Sequence, residues 1–388
     1  MAIDIAILFF EASLLSVSYN EAHTYFGYHG VVGYLSHLFT SVFGQNDFAL
    51  RLPMILLHIG SVQLLYLISK EYLKEERERI ILVLIYMILP GVISAALLVN
   101  MTGFVIFAIF LFVYIFLKHD EGLITYILLG IYLFLDHAFF YLFLGLFFYA
   151  LYKKRSFLAV YSFILMSANL YLFGTDIGGY PTGHFLDALA VYSAIFSPLV
   201  FVYIVYVLYR RFLTGKIDLL WFLATTALLV SLLLSLRQRV HLEYYAPYLL
   251  LALPLAGQTF VASYKVRLPR FRRGYKLLFN LALFFLSVNF ILVLANRYLY
   301  IVLDKPKKHF AYDNNIAKEL ASNLKNSSVF CVRTDYKMQL RLRFYGIDEC
   351  DRYKLSFVAE ENENSKNVTV SYISKPVYTV YVTKVNKK

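Results

Sequence analysis

The sequence predicts an α-helical polytopic membrane protein with about eleven transmembrane helices and a small C-terminal α/β domain. Hydrophobic residues make up 60% of the chain and charged residues only 16%, whereas about a quarter of a soluble domain is charged. Apolar runs of about 18 residues recur as far as residue 302, and runs of this length are typical of membrane-spanning helices. We therefore divide the chain into a transmembrane domain, 1–302, and a small domain, 303–388.

The apolar runs give the boundaries of the predicted spans. The turn between the spans 123–139 and 140–152 is marked only by Asp136 and His137, near the end of the first. The eleven predicted spans are 2–18, 54–70, 80–98, 101–117, 123–139, 140–152, 157–173, 188–209, 219–236, 244–263 and 276–297.

The basic residues between the spans predict the orientation. One alternating set of connections holds three of them, Arg51, Arg237 and Arg239. The other alternating set holds many more basic residues. Because positive loops stay in the cytoplasm, this richer set of connections is predicted to be cytoplasmic. The N-terminus is then predicted to be cytoplasmic and the tail periplasmic. The net charge of +12 therefore reflects topology and not nucleic-acid binding. The richer set holds seventeen: Lys70, Lys74, Arg77, Arg79, Lys118, Lys153, Lys154, Arg155, Arg210, Arg211, Lys216, Lys265, Arg267, Arg270, Arg272, Arg273 and Lys276.

The tail alternates helical and strand-like patterns. "DNNIAKELASNLKN" and "YKMQLRLRFYG" predict helices, "SSVFCVR" predicts a strand, and "NVTVSYISKPVYTVYVTKV" predicts two strands around Lys375–Pro376. Cys331 and Cys350 either form a disulfide in an oxidising periplasm or leave Cys331 as a buried thiol, and the sequence leaves both options open.

The first outer loop, "SVSYNEAHTYFGYHG", concentrates ionisable groups where the first span ends. A carboxylate at the membrane edge, Glu21, is a candidate general base, and the alternative is a solvated loop acid. His29 and His23 are candidate proton carriers or metal ligands, or else ordinary interfacial residues. The spacing of Glu21, His23 and His29 matches no zinc signature. The following "YLSHLFTSVFG" is amphipathic and too short to span, so we expect it at the interface.

The segment "RQRVHLEYYAP" holds the second candidate group. The guanidinium groups of Arg237 and Arg239 suit a lipid phosphate, because their donors match two oxygens at once. The alternative is pairing with Glu243 or with ordinary headgroups. His241, Glu243 and Tyr244 are candidates to share this substrate site.

Two further places carry polar groups on the predicted outer side. Asp136–His137 lies within an apolar run, where ionisable residues are costly and often functional, although a plain outer turn is the alternative. The glycine-rich "GTDIGGYPTGHFLD" predicts a loop, either a connector or a cover over a bound substrate, and it lacks the lysine of a phosphate-binding P-loop.

Several of these stretches resemble GT-C-type glycosyltransferases, the families of the lipid A aminoarabinose transferase and the protein O-mannosyltransferases. The resemblance covers nearly the whole chain. It rests on "SYNEAHTYF", "FGQNDFALRLP", "ILPGVISAALLVNMTGFVIFAIFLFVYIF", "EYYAPYLLLALPLA" and "LRFYG".

The resemblance implies a role for several residues. Glu21 matches the second acid of the family's acidic pair and would be the base that deprotonates the acceptor hydroxyl. Arg237 and Arg239 match the region expected to bind the donor phosphate. Departures from the family are Asn20 in place of the first acid, Asn100 where an acid is often found, and Asp136–His137 in place of a common Lys–Gly pair.

The resemblance thus implies an inverting transferase in the bacterial inner membrane, with a polyprenyl-phosphate sugar as donor and a lipid, such as lipid A, or a protein as acceptor. No cofactor is expected, and the loss of the first acid weakens the case for a divalent metal. Two other functions remain open: a lipid-linked sugar flippase, which would show repeated halves, and a non-catalytic family member.

Overall fold

The computed structural model describes residues 1–28, 30–174, 183–357, 365–373 and 375–384. Within these residues the chain is helical as far as Leu294 and forms a three-stranded sheet near its end. The helices before the tail are α1 Ala2–Leu14, α2 Tyr19–Phe26, α3 Gly30–Phe43, α4 Asp47–Ser69, α5 Glu76–Met87, α6 Pro90–Leu97, α7 Met101–His119, α8 Leu123–Tyr132, α9 Phe140–Lys153, α10 Ser156–Phe173, α11 Phe185–Phe196, α12 Pro198–Leu213, α13 Leu219–Ser235, α14 Ala246–Leu249, α15 Ala252–Val266 and α16 Pro269–Leu294.

Each of the eleven predicted spans corresponds to a helix or a pair of helices in the described residues. Five are long and apolar enough to cross a membrane alone, counting α14 with α15 as one segment. Three more pass the same test only as bent pairs, α1 with α2, α5 with α6, and α11 with α12. The other three are apolar helices of 10–17 residues. The polytopic helical fold is therefore confirmed.

The bends correct the predicted boundaries of individual spans. The first span ends at Leu14 instead of residue 18, because Leu15 is extended and the chain turns 89° into α2. The predicted span 188–209 is not one straight helix: Ser197 has a positive φ of 66°, and the axis turns 106° before Pro198. A proline at the first position of α12 lacks the N–H that a continuing helix needs, so the break is built into the sequence.

The described chain separates into two compact units. One comprises Met1–Ile55, Leu97–Asn100 and Ile291–Lys388, and the other comprises Leu56–Ala96 and Met101–Phe290. This division differs from the predicted boundary at residue 302, because the C-terminal residues pack with the first 55 residues. We call these the loop–tail unit and the helical unit.

The helical unit has a continuous apolar core rich in aromatic rings, such as Phe110, Phe143 and Phe196. Small residues allow close helix contacts: a Cβ on Gly145 of α9 would lie 2.8 Å from a methyl group of Leu223 on α13. Since apolar side chains gain little from burial away from lipid, such close packing is a main source of helix association in a membrane.

The C-terminal part of the loop–tail unit has its own core. Strands β1 Tyr353–Ser356, β2 Ser365–Tyr372 and β3 Lys375–Lys384 form an antiparallel sheet in the order β1-β3-β2. Helices α17 Ala317–Asn326 and α18 Tyr336–Phe344 pack on it. The two helices and the two strands around Lys375 are confirmed.

Two details of the tail differ from the sequence prediction or go beyond it. "SSVFCVR" is not a strand of the sheet, since only isolated bridges from Cys331 and Arg333 occur there, and strand β1 was not predicted. Cys331 and Cys350 form a disulfide, with their Cα atoms 5.4 Å apart.

Candidate active site

The first candidate, Glu21, lies in the first turn of α2. Ser18 caps this helix: its hydroxyl accepts from the Glu21 N–H, and the Glu21 carboxylate accepts from the Ser18 N–H at 2.9 Å. This reciprocal arrangement is a capping box, which the spacing of Ser18 and Glu21 permits. It fixes the carboxylate at the point where the chain leaves α1.

The Glu21 carboxylate is buried and fully hydrogen-bonded. Only 1% of the residue is exposed. Its Oε1 accepts from Arg51 Nε at 3.0 Å and from the Val99 N–H at 3.2 Å. Its Oε2 accepts from Arg51 at 3.0 Å and from the N–H and hydroxyl of Ser18. Since a carboxylate offers about four lone-pair sites, this geometry leaves none for an acceptor hydroxyl.

Arg51 is the partner that holds this arrangement together. It is completely buried within α4, and all five N–H donors of its guanidinium group are used. Two go to Glu21, and three go to main-chain oxygens of Ala12, Leu15 and Ser16 at 2.6–3.0 Å. The last turn of α1, the cap of α2 and the N-terminal half of α4 therefore meet at one guanidinium group.

The structure brings the segment 97–100 to Glu21, through the Val99 N–H. Two of the predicted outer loops thus meet in the loop–tail unit, and Asn100 is next to that contact. Asn20 is exposed on α2 beside the buried Glu21. His29 lies outside the described residues.

The tail contributes polar groups to the same unit. The Tyr345 hydroxyl accepts from the Val17 N–H at 2.8 Å and donates to Asp47 at 2.5 Å, and Lys318 pairs with Asp47 at 2.8 Å. Burial and the nearby Asp47 carboxylate raise the pKa of Tyr345 well above its ordinary value. Arg341 donates to the Val17 main-chain oxygen at 3.1 Å. The tail therefore holds the first outer loop at Val17 and contacts the start of α4 at Asp47.

In the helical unit, the segment around His137 meets the segment around Tyr244. The His137 ring lies 5.9 Å from Tyr141 and 5.8 Å from Tyr244, edge to face in both cases. Tyr248 donates to the Ala138 main-chain oxygen at 2.7 Å. Two predicted substrate groups, more than 100 residues apart in sequence, thus adjoin each other.

Asp136 and His137 have different surroundings within this group. The Asp136 carboxylate accepts from the Ala138 N–H at 2.8 Å and so caps a short 3₁₀ turn. This agrees with the alternative interpretation of Asp136 as part of a plain turn. Nδ1 of His137 is buried and has no hydrogen-bond partner among the described residues. Because buried polar atoms are nearly always paired, this nitrogen is a candidate to meet a substrate or a water molecule.

Arg237 and Arg239 follow the end of α13, and both side chains are exposed. In the described residues neither forms an ion pair, and the predicted alternative, pairing with Glu243, does not occur at salt-bridge distance. His241 and Glu243 are also exposed, and His241 lies 6.4 Å from the Tyr244 ring. The two guanidinium groups are therefore open to an anion.

The predicted residues thus fall into two sets, one in each unit. Glu21, Asn20 and Asn100 belong to the loop–tail unit, whereas Asp136, His137, Arg237, Arg239, His241, Glu243 and Tyr244 belong to the helical unit. Their assignment to one active site stays a prediction, as does metal dependence.

Three residues of these sets were not predicted from the sequence: Arg51, Tyr345 and Tyr141. Arg51 carried a signal: an arginine within the apolar "FALRLPMILL" must find partners, because an unpaired charge is costly there. Tyr345 and Tyr141 carried none, since the chain has 34 tyrosines and only the fold selects among them.

Comparisons with known proteins agree with this architecture. Residues 30–176, less than half of the chain, match the family model described as dolichyl-phosphate-mannose-protein mannosyltransferase. The resemblance to GT-C-type membrane glycosyltransferases is therefore supported by the sequence.

The fold is similar to the crystal structure of ArnT from Cupriavidus metallidurans in the apo state. The TM-score is 0.54, and the match covers 98% of this chain and 96% of that chain. The identity is 11%, so the likeness concerns the fold, which is confirmed as ArnT-like. No curated protein sequence matches the chain.

Proposed function

We propose that the protein transfers a sugar from a polyprenyl-phosphate donor to a lipid or protein hydroxyl at the outer, periplasmic face of the bacterial inner membrane. The observation that carries this proposal is the pair Arg237 and Arg239, which are exposed together and free of carboxylate partners in the described residues. A guanidinium group matches a phosphate with two parallel hydrogen bonds. Phosphate is the leaving group of such a donor, and cations that meet its developing charge lower the barrier.

The group around His137 supports a polar substrate close to that end of the helical unit. The ring that carries its unpartnered Nδ1 lies 5.9 Å from the Tyr141 ring and 5.8 Å from the Tyr244 ring, and Tyr244 follows Arg239 by five residues. Aromatic rings with polar edges suit a sugar or a lipid headgroup at a membrane interface.

The contacts inside each unit support the proposed orientation. Predicted outer segments meet each other, as Glu21 meets Val99 and His137 meets Tyr244. Predicted cytoplasmic segments also meet each other, since Arg155 pairs with Glu121 at 3.1 Å. The disulfide of the tail suits an oxidising compartment.

The test is sugar transfer from a synthetic polyprenyl-phosphate donor by the purified protein in lipid vesicles. We expect Arg237→Ala to lower transfer by about 10- to 100-fold, because a hydrogen bond to a charged group contributes about 1.5–3 kcal/mol. Arg237→Lys keeps the charge but loses the paired donors of the guanidinium group, so its transfer rate should lie between those of the wild type and Arg237→Ala. Arg270→Ala, an exposed arginine on α16 outside this group, is the matched control. Unchanged transfer by Arg237→Ala would reject the phosphate role.

A second candidate function is favoured by the surroundings of Glu21. The resemblance assigns this residue the role of base, but its oxygens are occupied by Arg51, Ser18 and Val99, and the first acid of the family's pair is Asn20. These observations suit a carboxylate that holds the loop in place, and hence a non-catalytic member of the family.

Glu21→Gln separates the two roles, because glutamine keeps the size and one acceptor oxygen but cannot act as a base. In either case the loss of the ion pair with Arg51 lowers the thermal stability, so transfer is compared per folded molecule. If Glu21 is the base, transfer per folded molecule falls by about 100-fold or more; if Glu21 is only an anchor, any transfer by the folded wild type is kept by the folded variant. Transfer that survives in the folded Glu21→Gln variant would reject the base role.

A further inference from the structure

The helical unit contains a large apolar groove away from the candidate active site. It encloses about 890 Å³ between α5, α12, α15 and α16, and its deep part is lined by side chains such as Leu82, Phe260 and Leu286. Helix α16 forms its outer wall. This helix is long and apolar, yet Leu286 is its only buried residue, so most of its surface faces lipid.

Helix α16 is attached on either side of the groove. Near its start, the rings of Tyr275 and Phe279 each lie 4.7 Å from the ring of Phe260 on α15. Near its end, Asn289 donates to the Ser197 hydroxyl at 3.0 Å. The groove therefore belongs to the packed helical unit, and its walls are held by named contacts.

One end of the groove is basic. Arg210, Lys265 and Arg267 line it, together with a single carboxylate, Glu78. Glu78 pairs with Lys265 at 3.2 Å. Arg210 donates to the Ser263 hydroxyl at 2.7 Å, and the Arg267 guanidinium lies 4.2 Å from the centre of the Tyr275 ring. Neither arginine has an ion-pair partner within the described ranges, so the end carries excess positive charge.

Hydrogen bonds from Arg272 hold the main chain that carries Lys265 and Arg267. Arg272 donates from Nε to the Arg267 main-chain oxygen at 2.8 Å and from its terminal nitrogen to that of Lys265 at 3.2 Å. The turn between α15 and α16 is thereby held against the first turns of α16. Cations on such a turn, at the end of an apolar groove, are the expected features of a site for an acidic lipid.

This basic end lies far from Arg237 and Arg239. Arg210 is near the start of α13, because Leu208 accepts from the Trp221 indole and Arg211 contacts Asp218. Arg237 follows the other end of α13, and a helix of 17 residues is about 25 Å long. A lipid whose phosphate lies at Arg210 is therefore a different molecule from a donor whose phosphate lies at Arg237.

We propose that this groove binds an acidic glycerophospholipid, with its phosphate at Arg210 and Arg267 and its acyl chains between α16 and the body of the unit. The lipid fills the space under α16, which has few protein contacts of its own. This site is independent of the proposed transferase activity, since it uses neither donor nor acceptor.

The experiment measures the lipid retained by the full-length protein. We would reconstitute it in nanodiscs of phosphatidylglycerol and phosphatidylcholine in equimolar amounts, without sugar donor, and count bound lipids by native mass spectrometry. We expect the wild type to retain phosphatidylglycerol selectively. In Arg210→Gln/Arg267→Gln the binding constant should fall about thirtyfold, at about fivefold for each charge.

Two further variants complete the test. Gly274→Phe places a ring in the groove without removing charge. An added Cβ at this position meets no atom within 4 Å, so the substitution itself causes no clash. This variant should also retain less phosphatidylglycerol. Arg270→Gln/Arg273→Gln removes two exposed charges from α16 outside the groove and should retain the lipid. Equal retention in both double variants, no preference for the acidic lipid, or displacement by added polyprenyl phosphate would each overturn the proposal.

Discussion

The two polar sets of this protein differ in how completely their charges are satisfied. Around Glu21 and Arg51, every donor of the guanidinium group and both oxygens of the carboxylate are used. Around Arg237 and Arg239, the charged groups are exposed and unpaired in the described part of the chain. Both sets have the residue types expected of an active site, but only the second leaves hydrogen-bond donors free for a ligand.

The difference follows from the energy of charges away from water. A buried ion pair persists only when each charge finds excellent partners, and removing one partner leaves an uncompensated charge. An exposed arginine is stabilised by water and keeps its hydrogen bonds available for a ligand. The saturated hydrogen bonds of Glu21 therefore agree with the proposed anchoring role, and the free donors of Arg237 agree with the proposed binding role.

The largest expected effect is that of Arg51→Met. The substitution keeps the length of the side chain but leaves the Glu21 carboxylate buried without its main partner, together with three main-chain oxygens. We expect a loss of about 3–5 kcal/mol of stability, enough to prevent accumulation of folded protein. Recovery from the membrane, followed by size-exclusion chromatography in detergent, would measure it. Arg270→Met, on an exposed part of α16, is the control. A normally folded Arg51→Met would contradict the view that Arg51 is an essential partner of the buried Glu21 carboxylate.

The sequence predicted the membrane fold well because each span is a long apolar run, and such runs have one stable state in lipid. It placed the bends poorly, since the turn at Ser197 depends on a single positive φ next to Pro198. It located Glu21 and Arg237 as the polar groups of interest. It could not predict that Arg51 saturates Glu21, because this contact joins residues 30 positions apart whose meeting depends on the packing of α1, α2 and α4.

The middle effect is that of Tyr345→Phe, which tests how far the saturated set extends into the tail. The variant leaves the Val17 N–H and one Asp47 oxygen without their partner, and an unsatisfied buried group costs about 1–3 kcal/mol. We expect a lower midpoint of thermal unfolding, with the helical content of the folded state unchanged. An unchanged midpoint would show that the hydrogen bonds of Tyr345 do not contribute to stability, and that the stabilising set of polar contacts is limited to the residues around Arg51.

The difference in stability between the wild type and Tyr345→Phe should depend on pH. The pKa of Tyr345 is raised in the folded state, so the folded protein keeps this proton at a pH where the unfolded chain, with a pKa near 10, loses it. This contribution to stability is complete below pH 10 and is lost as the pH rises from there toward the folded pKa. The difference in unfolding midpoint between wild type and Tyr345→Phe should therefore narrow above pH 10. A constant difference would show that the hydroxyl is equally acidic in both states.

The smallest expected effect on stability is that of Arg237→Ala, the variant predicted to impair transfer. Because the side chain is exposed and lacks an ion-pair partner among the described residues, its removal should change stability by less than about 0.5 kcal/mol. Its unfolding midpoint, measured in the same detergent as that of Tyr345→Phe, should match the wild type. If Arg237→Ala destabilised the protein as much as Tyr345→Phe does, its guanidinium group would be part of the scaffold and unavailable to a donor phosphate. A stable variant that has lost transfer would show that the exposed charge of Arg237 serves the substrate and is not part of the scaffold.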